Sequence, residues 1–293
     1  MLKTIIPILL ILTILFSSCQ FNQSVNKDLI TGAYSRGDGV GSDDVIIEIN
    51  GEVEKSNKFV FGEKVNLVFN NVTGLTKFDE KTFPGLSMYI IKNKKDTVLS
   101  NHDLLENIND GTVLFPLKLQ ANFRASLPYQ NNEKYKVYVE IWDKKGDGKF
   151  NYELPFTIKE NDLLKITSNK IEYTNIYLWN ETLKQPVFNK NISLDHLFFL
   201  IIEGAKGLEL SANKVFPIFS LELSDSKGGE ITSNPNLLST YEDGVAPEDL
   251  ENQLAVKISF SKGRINNPCK LTAKLKDKNS SKEITVTTEL MIK

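Results

Sequence analysis

One pattern occurs twice in this chain, and that duplication limits the folds open to it more than any other feature. Phe59 to Ile91 reads FVFGEKVNLVFNNVTGLTKFDEKTFPGLSMYII, and a second version, NISLDHLFFLIIEGAKGLELSANKVFPIFSLEL, begins at Asn191. Gly74-Leu75 matches Gly207-Leu208 and Phe83-Pro84 matches Phe216-Pro217, both at one offset (207 − 74 = 216 − 83 = 133). Leu104-Leu105 matches Leu237-Leu238 and Asp110-Gly111 matches Asp243-Gly244 at the same offset. After a one-residue insertion, Asp143 matches Asp277 and Ile158 matches Ile292 at 134. A register held over this length marks a duplicated unit. Its period exceeds the roughly 20–50 residues of solenoid repeats and suits a domain of about 100–200 residues. Two complete domains are expected, at residues 29–160 and 165–293, with Glu160 to Asn169 as a short polar linker.

The hydrophobic pattern has a period of two. Val65, Leu67 and Phe69 match Phe198, Leu200 and Ile202; Leu86, Met88 and Ile90 match Phe219, Leu221 and Leu223. Val137, Val139 and Ile141 match Leu271, Ala273 and Leu275. Alternation kept in both copies predicts half-buried strands. The last two strands of each copy form a hairpin around Asp143 to Lys149 or Asp277 to Lys282. His102 to Asn107 and Pro247 to Asn252 are expected as single helical turns. About seven short strands per copy, separated by turn signals, predict an all-β chain of two tandem antiparallel sandwiches of immunoglobulin (Ig) type. Antibody domains carry a Cys–Trp–Cys marker, which is absent here.

The N-terminus reads as a targeting segment. Lys3 is the sole charge of residues 1–18, and Ile5 to Phe16 is an apolar run shorter than a bilayer span. It ends in Phe16-Ser17-Ser18-Cys19, which resembles the bacterial lipobox with Phe in place of the usual Leu. That resemblance implies a signal peptide over 1–18, a diacylglycerol on Cys19 and a membrane anchor. Residues 19–28 then read as a lipidated polar tether. With Cys19 lipidated, Cys269 stands alone, no disulfide is expected, and Cys269 reads as a small buried hydrophobe at the start of a strand.

The lipobox joins three further motifs. These are Phe61-Gly62-Glu63 followed by Val65, Phe69, Val72 and Gly74; Phe83-Pro84-Gly85-Leu86-Ser87; and Tyr135 to Phe150. The combination resembles a group of Bacteroidota cell-envelope lipoproteins with tandem Ig-like domains. The resemblance implies an Ig-like fold and an outer-membrane lipid anchor, and it carries over no catalytic residue. Some such lipoproteins carry an acidic export signal after the cysteine. Here only Lys27-Asp28 is of that kind, so the periplasmic and the surface face both stay open.

Net charge is −2 with no basic run, which argues against nucleic acid as a partner. His102 and His196 are the two histidines, one in each copy and without Cys or His neighbours at metal-ligand spacing. His196 reads as a solvated strand-edge residue. No catalytic motif is present, so an enzyme is not expected and neither is a cofactor. Arg36-Gly37-Asp38 within the Gly-rich stretch Gly37 to Gly41 reads as a turn. Asp143 and Asp147 partly fit a calcium loop, but Lys145 takes a ligand position and Leu154 stands where the closing Glu belongs. A plain hairpin turn is expected there. Asp96-Thr97-Val98 resembles the short O-glycosylation acceptor of Bacteroidota, with Thr97 as the acceptor.

The copies share core faces but differ on outer faces. Tyr138 and Trp142 stand opposite Thr272 and Lys276, and Tyr89 and Ile91 opposite Glu222 and Ser224. If these strands neighbour one another, Tyr89, Tyr138 and Trp142 form one aromatic patch in the first domain only. Such a patch binds an envelope protein or a flat sugar face when open. It is packing when covered by residues 20–40 or the other domain, and the small size of exposed patches on monomers favours cover. Phe199 and Ile201 likewise point to a covered outer face in the second copy. Two functions follow: a binding or adhesion module, or a structural spacer without a soluble ligand.

Overall fold

A computed structural model of the chain describes residues 23–128, 133–260 and 265–293. Residues 1–18, expected as a signal peptide, and Cys19 lie outside the described residues. The chain forms two compact units. One contains the chain as far as Asn57, Val65–Phe123 and Lys134–Phe156; the other contains Lys58–Lys64, Arg124–Glu133 and Thr157–Lys293.

The first copy of the repeat is built from β1 (Gln23–Lys27), β2 (Tyr34–Asp38), β3 (Asp44–Ile49), β4 (Glu52–Glu54), β5 (Lys58–Val60), β6 (Lys64–Asn70), β7 (Lys77–Phe78), β8 (Lys81–Thr82), β9 (Pro84–Lys92), β10 (Asp96–Asn101), β11 (Leu119–Arg124), β12 (Tyr135–Asp143) and β13 (Lys149–Lys159). One sheet has the order β1-β2-β13-β12-β9-β10, and the opposing sheet β11-β6-β3-β4. Alternate residues of β12 are buried along its whole length, as are those of β13 from Phe150 to Ile158. Phe69 of β6 meets Phe150 and Tyr152 of β13 edge-on, at ring centroid distances of 6.1 and 5.7 Å. Phe123 of β11 packs at 5.4 Å on Phe156. Burial of each such side chain is worth about 1.5–3 kcal/mol.

The second copy repeats the plan with β14 (Lys165–Asn169), β15 (Asn175–Asn180), β16 (Gln185–Pro186), β17 (Asn191–Ile192), β18 (Phe198–Glu203), β19 (Pro217–Ser224), β20 (Glu230–Asn234), helix α1 (Pro247–Asn252), β21 (Leu254–Ile258), β22 (Cys269–Asp277) and β23 (Glu283–Ile292). The sheets have the orders β14-β23-β22-β19-β20 and β16-β15-β18-β21. One hydrophobic cluster joins them, from Leu200 and Val256 on one side to Phe219, Leu271 and Val286 on the other. Both copies are therefore antiparallel sandwiches of Ig type.

The repeated residue pairs have physical reasons. Gly74 has φ +84°, and a Cβ there would lie 1.8 Å from the Gly39 carbonyl oxygen. Gly207 at φ +98° faces the Lys170 carbonyl in the same way. Gly111 lies under the Phe83 ring and Gly244 under Phe216, so the separate Phe-Pro and Asp-Gly repeats meet in space. Asp103 Oδ1 accepts the amides of Leu86 and Leu105, and its equivalent Asn236 accepts those of Phe219 and Leu238. An acceptor oxygen is common to both residues, which explains why the copies tolerate the exchange.

Several expectations are corrected. Gln23–Lys27, expected as tether, forms edge strand β1, fully exposed and held by pairing to β2. Polar composition hid it because an edge strand buries no face. Arg36-Gly37-Asp38, expected as a turn, lies within β2. Gly37 is small because a Cβ would approach the Val40 carbonyl and Ser24 hydroxyl to 2.5 and 2.7 Å. Lys165–Asn169, expected in the linker, pairs with β23 as β14. His102 to Asn107 forms turns rather than helix, whereas Pro247–Asn252 is α1, with Pro at its start and Glu248 and Asp249 in its first turn. There are more strands than seven per copy, because two- and three-residue strands carry too little period to read.

Candidate ligand-binding face

The outer face of the first sheet is organised by register. β9 and β12 pair so that Tyr89 lies opposite Tyr138, and Trp142 opposite Gly85. β13 and β2 extend each row across the sheet. One row runs Tyr34, Glu153, Tyr138, Tyr89, and the next runs Arg36, Asn151, Glu140, Ser87. The third holds Asp38, Lys149, Trp142 and Gly85. The first two rows line a cavity of about 420 Å³. Residues 23–38 do not cover this face; as β1 and β2 they extend the sheet sideways.

Tyr89 and Tyr138 stack at a centroid distance of 4.8 Å with 10° between ring planes. Tyr89 is 39% exposed and Tyr138 is half-buried. The Lys136 ammonium lies 5.4 Å from the Tyr138 centroid and forms an ion pair of 2.9 Å with Glu153. That hydrogen bond is the main cause that raises the Lys136 pKa. Burial, then the neighbouring Tyr138, Glu153 and Glu140, push the Tyr89 hydroxyl above its ordinary range. Glu140 is paired with Lys149 at 3.5 Å. Both carboxylates at the cavity are thus balanced by lysines, and Arg36 is exposed beside them.

The structure brings two of the three expected aromatics together and gives the third another task. Trp142 does not line the cavity. Its ring lies over Gly85, where a Cβ would be 2.0 Å from the ring atom Cε2. This is a cross-strand aromatic covering a glycine, a packing device. Nor do the Tyr rings offer one flat platform, since Tyr138 has Tyr89 on one side and Lys136 over its ring. Tyr34, Arg36, Ser87, Glu140, Asn151 and Glu153 were missed by sequence reasoning. Pairing of the two strands expected as neighbours brings in Ser87 and Glu140, whereas Tyr34 and Arg36 belong to a strand that the sequence disguised as a turn.

Asp143 is 4% exposed. Its Oδ2 accepts the Thr76 amide at 2.7 Å and its Oδ1 the Lys145 amide at 2.9 Å. Asp277 accepts the Glu209 and Asn279 amides at 2.8 and 3.1 Å. Asp147, by contrast, is exposed. Among the described residues, no three or more His, Cys, Asp or Glu are grouped to hold a metal. Thr97 is exposed in β10, an edge strand, at a register shift against β9.

Elsewhere, His196 is half-buried rather than solvated. Its Nδ1 is 3.0 Å from Asn180 Nδ2, and it lines a cavity of about 300 Å³ with Phe188, Ile192 and Phe198. Ile201 is buried and Phe199 half-buried, paired across to Tyr177 and Trp179. Phe61, in the Lys58–Lys64 segment of the same unit, tilts against Tyr177 at 5.4 Å. Cys269 opens β22 fully buried, and burial raises its thiol pKa. Phe78, Val113, Leu114 and Phe115 are exposed on two loops of the first unit that are bridged by mutual Thr82–Thr112 hydrogen bonds.

No protein-family model matches the chain, and no curated protein does. Among solved structures it is similar to the Clostridium thermocellum CbhA fibronectin(III)-like modules at 10% identity. That match covers 85% of this chain and 94% of the other with a TM-score of 0.21. A second match, pT26-6p, is 9% identical with a TM-score of 0.24, covering 92% of this chain and 65% of the other. The fold assignment rests on the sheets described above, since scores this low carry no argument.

Proposed function

We propose that this chain is a non-catalytic cell-envelope lipoprotein whose first Ig-like module recognises a partner, protein or glycan, on the β9–β12 face. Cys19 holds it to the outer membrane by a lipid, and Thr97 is an exposed acceptor for O-glycosylation. One observation carries the recognition reading: the two copies differ in chemistry on this face. The second copy's rows at the same positions are Lys165, Thr287, Thr272, Glu222 and Thr167, Thr285, Lys274, Ser220. Of eight positions only Ser87, equivalent to Ser220, is kept, while the cores opposite are apolar in both copies. The first copy alone carries three tyrosines and an arginine there.

The spacer reading is favoured by a different observation, the Trp142 ring over Gly85 and the mutual stacking of Tyr89 and Tyr138, which are packing arrangements. The test is a binding screen of the full chain against glycans and envelope extracts, with Tyr89→Ala and, as control, Glu222→Ala at the equivalent place in the second copy. Binding lost in the first and kept in the second supports recognition. Wild-type protein that binds nothing leaves the spacer. Replacement of Cys19 by Ser releases the chain from the membrane fraction if the anchor is lipid; retention there overturns the lipoprotein assignment.

A further inference from the structure

We infer that the ligand of the Tyr34–Tyr89 face is a neutral, extended polyhydroxyl chain, that is, an oligosaccharide without carboxylate, phosphate or free amine. This rests on the recognition reading above and narrows it. The trough crosses four strands, β2, β13, β12 and β9. Three steps of about 4.8 Å give it a length of roughly 14 Å, sized for a chain molecule rather than a single small group. One row along it holds Tyr34, Glu153, Tyr138 and Tyr89, with Tyr89 the most exposed, and the row beside it is polar throughout.

The polar groups select the chemistry. Arg36 and the Asn151 amide donate; Glu140, Glu153 and the Asn151 carbonyl accept; the Tyr and Ser87 hydroxyls do both. A sugar hydroxyl likewise donates and accepts, so one kind of group satisfies the whole row. A charged ligand does not. Across the face the cations Arg36, Lys136 and Lys149 are matched in number by the anions Asp38, Glu140 and Glu153, so no net charge is left to hold an ion of either sign. A peptide strand finds no free backbone here, because β13, β12 and β9 are each paired on both sides. The exposed ring surface of Tyr89 suits the C–H surface of a sugar.

The experiment is calorimetric titration of the full chain with cellohexaose, mannohexaose, xylohexaose and laminarihexaose. Hexagalacturonate serves as the anionic probe and the chitosan hexamer as the cationic one. Saturable binding of at least one neutral probe is expected, with both charged probes at least tenfold weaker. Tyr89→Ala and Arg36→Ala each weaken binding at least tenfold, and Glu222→Ala leaves it unchanged. Arg36 is exposed and touches no core, so its variant separates loss of the ligand from loss of the fold. Tighter binding of a charged probe, no binding of any neutral one, or binding indifferent to both variants overturns the inference. An envelope protein captured in a Tyr89-dependent way without sugar binding overturns the glycan but keeps the recognition face. Loss of both takes the recognition reading down as well.

Discussion

Replacing Asp143 by Ala separates a hairpin plug from a calcium ligand. The carboxylate holds two backbone amides, Thr76 at 2.7 Å and Lys145 at 2.9 Å, and the residue is 4% exposed. Alanine leaves both amides without their acceptor. Each orphaned donor costs about 1–3 kcal/mol when buried. The two bonds are partly buried, so the lower half of the range applies, about 2–4 kcal/mol in total. Asp277→Ala removes the matching amide bonds and that of Ser280 Oγ at 2.6 Å, and is expected to cost a similar amount in the other unit. Asn at either position keeps one acceptor oxygen and falls between. The chain has two tryptophans, Trp142 in one unit and Trp179 in the other. Denaturant unfolding followed by fluorescence in Trp142→Phe and Trp179→Phe backgrounds therefore assigns each transition to its unit. Runs in calcium and in chelator complete the design. The plug predicts the full loss in both. A loss seen only with calcium present, or a change below about 0.5 kcal/mol in chelator, refutes the argument.

Trp142→Ala uncovers Gly85 and is expected to lower the first unit's stability by about 1–3 kcal/mol while sparing oligosaccharide affinity, read by denaturation and calorimetry on one sample. Burial, the largest single influence, raises the Asp277 pKa, but hydrogen bonds from Ser280 and the Glu209 and Asn279 amides outweigh it and hold the carboxyl below the ordinary aspartate range. A folded-state pKa below the unfolded one gives stability that is present above the unfolded value and lost as pH falls through the folded one. The second unit is thus expected to weaken below about pH 4, and Asp277→Asn to flatten that slope. Cys269 is fully buried with its thiol pKa raised, so it is expected to resist alkylation in native protein and react in denaturant. Rapid native labelling would contradict its place in the core.

What the sequence disclosed follows from which residues bury a face. The central strands β9, β12 and β13 alternate over five or more residues, and both copies repeat the alternation, so the sandwich was legible before any coordinates. Strands β1 and β2 were not, since β1 buries nothing and β2 buries Gly37 alone. Composition assigns such segments to tether and turn, while the sheet holds β1 by backbone pairing to β2 and β2 by pairing to β13. The candidate site was half legible for the same reason. Tyr89 and Tyr138 came from comparing copies, but Tyr34 and Arg36 became neighbours only once β2 had a register. Trp142 misled because an outward aromatic reads alike whether it awaits a ligand or covers a glycine one strand away.

Duplication makes the protein its own control. Where the copies agree in role, a structural cause is present in both: the crowded left-handed glycine at 74 and 207, the ring over Gly111 and Gly244, the buried aspartates at 143 and 277. Some of these positions change residue and keep the atom that matters, as Asp103 and Asn236 do with one carbonyl-type oxygen. On the outer face the positions change residue and change chemistry. Lys165, Thr272 and Glu222 stand where the first copy has Tyr34, Tyr138 and Tyr89. Trp142 is accounted for within the fold by Gly85, whereas Tyr34, Tyr89 and Arg36 pair with no glycine, which is why they are the place to look for a ligand.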